Sequence, residues 1–516
     1  MSRTRRFLGG LSLGYFYLGL VTVVGLWLTP FLLGRVGQHD FGLWLITTQF
    51  LGYLALLDLG VVALAPRETA FATGRASSGA ADGDLAATLA RFRRVVRWQV
   101  GPTLVVALIA WWFVTDAWPE LRWPLAAILG AFVVAFPFRL YNAALQGLQD
   151  LPFLGKVQLA AWLAGTATTV ALVLDGMGLE ALAAGWVVTQ AVSATACGIR
   201  IRRHHAHAWT AVVPPVSWRE VRGLFGRSGW ISLGQVGQVF LSGSDILVVG
   251  ALMGPAAAVP YACTGKLISV LANHPQLLMQ TAAPALAEMR VAAARQRVVE
   301  IALALMRAML VISGAVACLV LTLNETFVTW WVGRAQYAGA ALTILLVLAM
   351  LMRHFATTMT YALFSFGYER RLSLTALADG TVSVAVTAIL LASTSLGLVS
   401  AALGSLAGVV LVNIPVTGRA LTRELGIGFG PLVASLRGWA IRFAAATAIC
   451  VTGARLLRPE GVAGLAAGGL AVGIVYAAVM FPLALEPPLG RYVRAGLSLL
   501  GLPLDGGREP APETPS

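Results

Sequence analysis

The chain has 516 residues, 58% of them hydrophobic and only 12% charged, with a formal net charge of +14. Soluble domains carry about 25% charged residues, so this composition excludes an ordinary soluble protein. A basic balance would suggest nucleic acid in a soluble chain; here the arginines lie in loops between long apolar runs, which points to topology and an anionic lipid surface.

In chain order, the opening MSRTRRFLGGLSLGYF has a basic flank but no small-residue cleavage site, so its apolar run reads as a retained first span. Fourteen spans are predicted near 11–33, 41–65, 99–116, 123–148, 153–174, 179–199, 227–250, 257–285, 300–323, 338–364, 373–393, 396–417, 434–454 and 461–485. With the N-terminus inside, arginines gather in successive inner connections: Arg3, Arg5 and Arg6, then Arg91, Arg93, Arg94 and Arg97, then Arg200, Arg202 and Arg203. The later inner connections continue the pattern with Arg290, Arg295 and Arg297, with Arg370 and Arg371, with Arg419 and Arg423, and with Arg491 and Arg494. Outer connections hold only Arg35, Arg122, Arg334, Arg455 and Arg458, the asymmetry of a chain with cytoplasmic termini.

The two longest internal connections are both on the inner side. Arg67–Trp98 reads as a flexible turn followed by an amphipathic basic helix, RFRRVVRW, at the membrane surface. Arg200–Gly226 carries His204, His205 and His207 without a nearby carboxylate or thiol, and reads as a solvated basic loop rather than a metal site. Cys197, Cys263, Cys318 and Cys450 all fall in apolar spans without paired spacing, so no disulfide framework or metal centre is implied. No G-x-x-x-x-G-K-[ST] loop occurs, and no cofactor is expected.

An internal repeat runs through the chain. Gly34 matches Gly250, Ala65-Pro66 matches Ala283-Pro284, and Gln146-Gly147 matches Phe366-Gly367, at offsets drifting from 216 to 220. Each unit holds an even number of spans, so the copies share one orientation across the membrane. The expected architecture is an all-α polytopic membrane protein of about 14 transmembrane helices. Two pseudo-symmetric six-helix lobes, residues 1–205 and 227–420, surround a central cavity and are joined by a cytoplasmic loop at 206–226. Two extra helices within 421–485 follow, then a cytoplasmic tail at 486–516, rich in Pro and Gly, that reads as disordered.

Ionisable residues inside spans are Asp58, Arg139, Asp245, Lys266, Arg307, Arg353 and Asp379. Each would cost about 2.5–3.5 kcal/mol at the centre of a lipid-facing helix, so each needs a polar cavity or a partner. Arg307 and Asp379 lie near the cytoplasmic ends of their spans and are expected to snorkel. Asp245 lies close to the outer interface. Arg139, Lys266, Arg353 and Asp58 remain deep, three bases to one acid, which suits an anionic ligand. Tyr141, Asn142 and Gln146 accompany Arg139 on one helical face; His354 and Tyr361 accompany Arg353. Interhelical hydrogen bonding explains some of these polar groups equally well. Asp58 is either a protonation site or the structural partner of Arg139. Pro137, Pro275 and Pro284 are candidate kinks.

The stretch from Leu26 to Glu68, with a G-x-x-G-x-x-x-F-G-x-W turn and a span ending in LLDLG, resembles the membrane-spanning polysaccharide flippases. These belong to the multidrug/oligosaccharidyl-lipid/polysaccharide exporter superfamily. Leu145-Gln146-Gly147-Leu148-Gln149 and Ser244-Asp245-Ile246-Leu247 extend the resemblance, which runs from about residue 8 to about 485. It implies a non-enzymatic flippase in the cytoplasmic membrane that moves an undecaprenyl-pyrophosphate-linked oligosaccharide to the outer leaflet. Partners would be that substrate, membrane lipids and a polysaccharide polymerase or other assembly protein. A lipid II-type flippase is an alternative that differs in the glycan. A drug/cation antiporter of the superfamily would have interior acids outweighing bases, and a membrane-embedded glycan polymerase would need a larger outer loop.

Overall fold

The computed structural model describes residues 3–77, 83–206, 209, 218–273, 275–276, 279, 295–434, 436–486, 489–490 and 493–494. Among them the regular structure is entirely helical, as lipid requires of a chain whose backbone must satisfy its own hydrogen bonds. Thirteen helices among the described residues are long and apolar enough to cross a bilayer. The eighth predicted span, at 257–285, is described only in part, and its Pro284 lies outside the described residues.

In chain order the helices are α1 (Arg3–Val36), α2 (Gln38–Ala55), α3 (Val61–Ser77), α4 (Gly83–Ala117), α5 (Arg122–Ala135), α6 (Arg139–Gly147), α7 (Leu151–Leu174), α8 (Leu179–His204), α9 (Trp218–Met253) and α10 (Pro255–Thr264). Then follow α11 (Lys266–Leu271), α12 (Arg295–Val332), α13 (Ala340–Ser365), α14 (Glu369–Ser393), α15 (Val399–Gly408), α16 (Ile414–Leu425), α17 (Phe429–Ala434), α18 (Arg437–Leu457) and α19 (Gly461–Ala484).

Three predicted spans are interrupted and one predicted surface helix is corrected. The second span is not one helix: it breaks at Leu56–Gly60, and α3 then runs on to Ser77. The fourth breaks at Phe136–Phe138, where Pro137 removes a donor. The twelfth contains a π turn, Val409–Asn413, between α15 and α16. The basic stretch RFRRVVRW is no separate surface helix but the first turns of α4, which continues unbroken for 35 residues into the third span. Helical periodicity persists through that stretch while the composition changes from basic to apolar, so composition alone misplaces the boundary.

The chain packs as two units. The first comprises residues 1–263, 331–338 and 373–408. Among its close contacts are two helix crossings built from small residues, which let backbones approach without a hydrophobic drive from water. On α7 and α8, a Cβ at Gly185 would fall 2.7 Å from the Gly165 carbonyl and clash with Thr169 Oγ1; one at Gly165 would fall 2.5 Å from the Gly185 carbonyl and clash with Thr189. On α14 and α15, a Cβ at Gly404 would fall 2.6 Å from the Ser383 carbonyl and clash with Thr387; one at Gly408 would meet Ser383 and Asp379. Residues 165 and 169 correspond to 383 and 387 at an offset of 218, and 185 and 189 to 404 and 408 at an offset of 219, so both crossings sit at one register of the repeat.

Backbone conformation repeats as well. Gly37 (φ 91) and Gly254 (φ 90), 217 residues apart, each end one span and start the next in a region that only glycine enters freely. Gln38 Nε2 then donates to the Ala256 carbonyl at 2.9 Å, tying the two turns together.

The second unit comprises residues 264–330, 339–372 and 409–516. Its interior is bound by side chains of α12: Ser313 Oγ lies 2.7 Å from His354 Nδ1, and Asn324 Nδ2 donates to the Thr264 carbonyl at 2.9 Å and to Thr343 Oγ1 at 3.1 Å. The last two spans attach to the same helix. Tyr476 of α19 donates to the Val311 carbonyl at 2.7 Å, over the space left by Gly314.

Candidate functional site: a polar pocket at two helix breaks

The break after α2 is held by its own side chains. Leu56–Asp58 forms one 3₁₀ turn, and Leu59 (φ 50) and Gly60 (φ 69) then turn left-handed before α3 begins. The carboxylate of Asp58 accepts the Gly60 N–H at 2.8 Å, a local turn that competes with helix continuation. The Asp58 carbonyl, freed from the helix ladder, accepts Gln99 Nε2 of α4 at 2.8 Å. Orphaned backbone groups at membrane depth are thus matched by named partners.

The second break faces the first. Pro137 within the 3₁₀ turn Phe136–Phe138 ends α5, and Arg139 opens α6. Arg139 Nη2 lies 3.1 Å from Asp58 Oδ2, and Nη1 donates to the Ala55 carbonyl at 3.4 Å. Its guanidinium carbon stands 5.7 Å from the centre of the Phe136 ring. The carboxylate side chain is 5% exposed and the guanidinium side chain 31%, so the acid is sealed and the base stays partly open. One ion pair therefore joins two interrupted helices, an arrangement that transporters use to expose polar groups within a bilayer.

Beside this pair lies a pocket of about 390 Å³ inside the first unit. Its lining includes Asp58, Arg139, Asn142, Gln146, Gln190, Ser193 and Gln235, with Val62, Pro66 and Phe138 as apolar wall. Gln146 Nε2 donates to Asn142 Oδ1 at 2.8 Å, one turn apart on α6. Both side chains line the pocket. Of the sequence-derived residues, the structure brings together Asp58, Arg139, Asn142 and Gln146. Gln190 and Ser193 of α8 and Gln235 of α9 join them, and no sequence signal marks them.

The other candidates lie elsewhere. Tyr141 turns away from the pocket and packs against Trp209 with ring centres 4.6 Å apart, beside an apolar cluster of Leu89, Leu145, Cys197 and Ile201. His354 is buried on Ser313 in the second unit, where Lys266 opens α11 and Arg353 and Tyr361 are partly buried on α13. Asp245 accepts a hydrogen bond from Tyr261 at 2.8 Å. Asp379 does not snorkel: it is fully buried where α14 meets α15, because Gly408 lets the helices close over it.

The connection after α8 is also less solvated than expected. Trp209 seats on Tyr141, its carbonyl accepts from Arg93, and the Arg93 guanidinium lies 5.8 Å from its ring centre. Arg200 pairs with Asp150 at 2.8 Å and contacts His204 at 2.7 Å. Burial lowers the His205 pKa from its usual 6.5, against an opposing pull from Asp150. His207 lies outside the described residues. No group of three or more metal-ligating side chains occurs among the described residues.

This architecture is shared with known transporters. The lipid II flippase MurJ, in an inward closed conformation, superposes with a TM-score of 0.61 at 10% identity, covering 94% of this chain and 99% of that one. An inward-facing multidrug resistance MATE transporter of the MOP superfamily gives 0.54 at 14% identity, covering 82% and 99%. No curated protein matches the sequence. The fold is thus the one these two solved transporters share, with thirteen helices of membrane-spanning length among the described residues. Residues 103–336, which include α5, α6 and the breaks' arginine, match the family described as "Polysaccharide biosynthesis protein". That match covers less than half of the chain.

Proposed function

We propose that the protein flips a lipid-linked oligosaccharide from the inner to the outer leaflet of the cytoplasmic membrane, by alternating access, for cell-surface polysaccharide assembly. The observation that carries this reading is the polar pocket at the two helix breaks, in a transporter of the polysaccharide family. Its volume lies in the lower part of the roughly 300–1,000 Å³ range of small-molecule sites, room for part of a glycan and not for a long lipid. Asn142, Gln146, Gln190, Ser193 and Gln235 supply hydrogen bonds to sugar hydroxyls, and Asp58 with Arg139 forms the rigid polar floor. Lys266 and Arg353, the deep bases of the second unit, are assigned to the anionic linkage of the carrier. The two lobes at 1–205 and 227–420 are the moving parts, and a polysaccharide polymerase is the expected recipient of the product.

A drug/cation antiporter is disfavoured because the pocket's one acid is already committed to Arg139. A lipid II-type flippase shares the fold and differs in cargo. Deletion of the gene separates the readings: a carrier-linked oligosaccharide other than lipid II should accumulate in the inner leaflet. Accumulation of lipid II selects the alternative, and unchanged lipid-linked pools refute both. In complementation, Gln190→Ala and Gln235→Ala proteins present at normal abundance should lose most export.

A further inference from the structure

We infer that the pocket of the first unit selects an uncharged sugar and excludes acidic sugars and pyrophosphate. This deepens the flippase reading and rests on it. Counting deep bases along the sequence suggests a cationic cavity, but the described lining of the folded pocket holds one base and one acid. Asp58 and Arg139 are the charged residues in its lining, and they stand 3.1 Å apart. The guanidinium spends Nη2 on the carboxylate and Nη1 on the Ala55 carbonyl, while the Phe136 ring lies against it. The carboxylate spends one oxygen on Arg139 and the other on the Gly60 N–H. The nearest charged side chain further along α8, Arg200, is itself paired with Asp150.

What remains for a ligand is a set of neutral groups that both donate and accept: the carboxamides of Asn142, Gln146, Gln190 and Gln235, and the Ser193 hydroxyl. A carboxamide pairs a donor NH₂ with an acceptor carbonyl, and a sugar hydroxyl is likewise donor and acceptor. A uronic carboxylate or a phosphate only accepts. It would leave the carboxamide oxygens unmatched and meet, among the described lining residues, a cation already paired with Asp58 at 3.1 Å. Burying an unpaired charge is far costlier than burying a hydrogen-bonded hydroxyl. Affinity for the glycan therefore follows its charge, and the anionic linkage of the carrier binds elsewhere.

The test uses the full-length protein in detergent micelles and saturation-transfer NMR with three probes: a neutral hexose disaccharide, a hexuronic acid disaccharide of equal size, and inorganic pyrophosphate. The neutral disaccharide should bind at least tenfold more tightly than the acidic one, and pyrophosphate should not displace it. Asp58→Asn frees the Arg139 charge, and Gln146→Lys adds one at an exposed position without touching the ion pair; each should raise the acidic-to-neutral affinity ratio at least tenfold. Equal affinity for both sugars, or displacement by pyrophosphate, overturns the inference. Where deletion nonetheless causes lipid-linked glycan to accumulate, the flippase reading stands and only the charge selectivity falls. Unchanged lipid-linked pools on deletion would remove the reading on which the inference depends.

Discussion

The ion pair between Asp58 and Arg139 makes an asymmetric prediction about stability. At 3.1 Å and an effective dielectric of about 20, the Coulomb attraction is roughly 5 kcal/mol before desolvation is subtracted. Removing one partner of a buried pair typically costs about 3–5 kcal/mol, mostly because the survivor is left charged and unpaired. Here the survivors differ. Arg139→Ala strands a carboxylate that is 5% exposed, so its cost should be about 3 kcal/mol or more. Asp58→Asn keeps an acceptor for the Gly60 N–H and leaves a guanidinium that is 31% exposed, so the loss should be about 1.5–3 kcal/mol, the value of a charged hydrogen bond. The double variant Asp58→Asn/Arg139→Ala strands no charge and should recover much of the sum. Equilibrium unfolding of the purified protein in mixed micelles measures all four states of the cycle. Additive losses, with a coupling below about 0.5 kcal/mol, would refute the claim that the pair ties the two breaks together.

Other expectations follow from the same contacts. Gly404→Ala should destabilise by about 1–3 kcal/mol through overpacking against Ser383 and Thr387, while Gly473→Ala, with open space around it, should change thermal stability little. At the first break, Leu59→Gly should stabilise slightly by relieving a left-handed non-glycine residue, and Gly60→Val should destabilise; chemical denaturation reads both. His205 is held neutral by burial, so its folded pKa lies below 6.5 and the unfolded segment binds more protons in that window. Docking of the segment around Trp209 should therefore weaken as pH falls below about 6.5, seen as faster proteolysis within 206–226, and His205→Gln should remove the pH dependence. Cysteines placed at Ser77 and Ser516, in a background lacking the native cysteines, should resist an impermeant thiol reagent in intact cells; labelling at either would overturn the orientation drawn from the arginine bias.

The helical class and most spans are legible from the sequence because each apolar run carries its own length and its own flanking arginines. Breaks within spans are less legible. Pro137 announces one, since a missing N–H is a local property, but the break at Leu56–Gly60 depends on the Asp58 side chain capturing the Gly60 N–H in place of the helix ladder. The sequence offers Asp58 as a protonation site or as the partner of Arg139, and the fold places the two side chains 3.1 Å apart. Gln190, Ser193 and Gln235 are invisible beforehand: a polar residue within a span has no signature of its own, and its meaning comes from the helix it faces. Asp379 is misread for the same reason, because distance from a helix end says nothing of Gly408 closing over it.

The two small-residue crossings also record how the chain was made. In one copy Gly165 receives Thr189; 218 and 219 residues later the same contact is Ser383 against Gly408, with the larger partner now on the opposite helix. The residues differ between the copies, yet each contact pairs one glycine with one hydroxyl side chain. What was inherited is a spacing between two backbones, and residues on either side were free to trade volume while that spacing held. A single substitution at this contact is harmful because it changes one side alone. Paired substitutions that move a hydroxyl from one helix to the other retrace a step the protein has already taken, and they are the route by which such a crossing drifts in sequence without shifting in space.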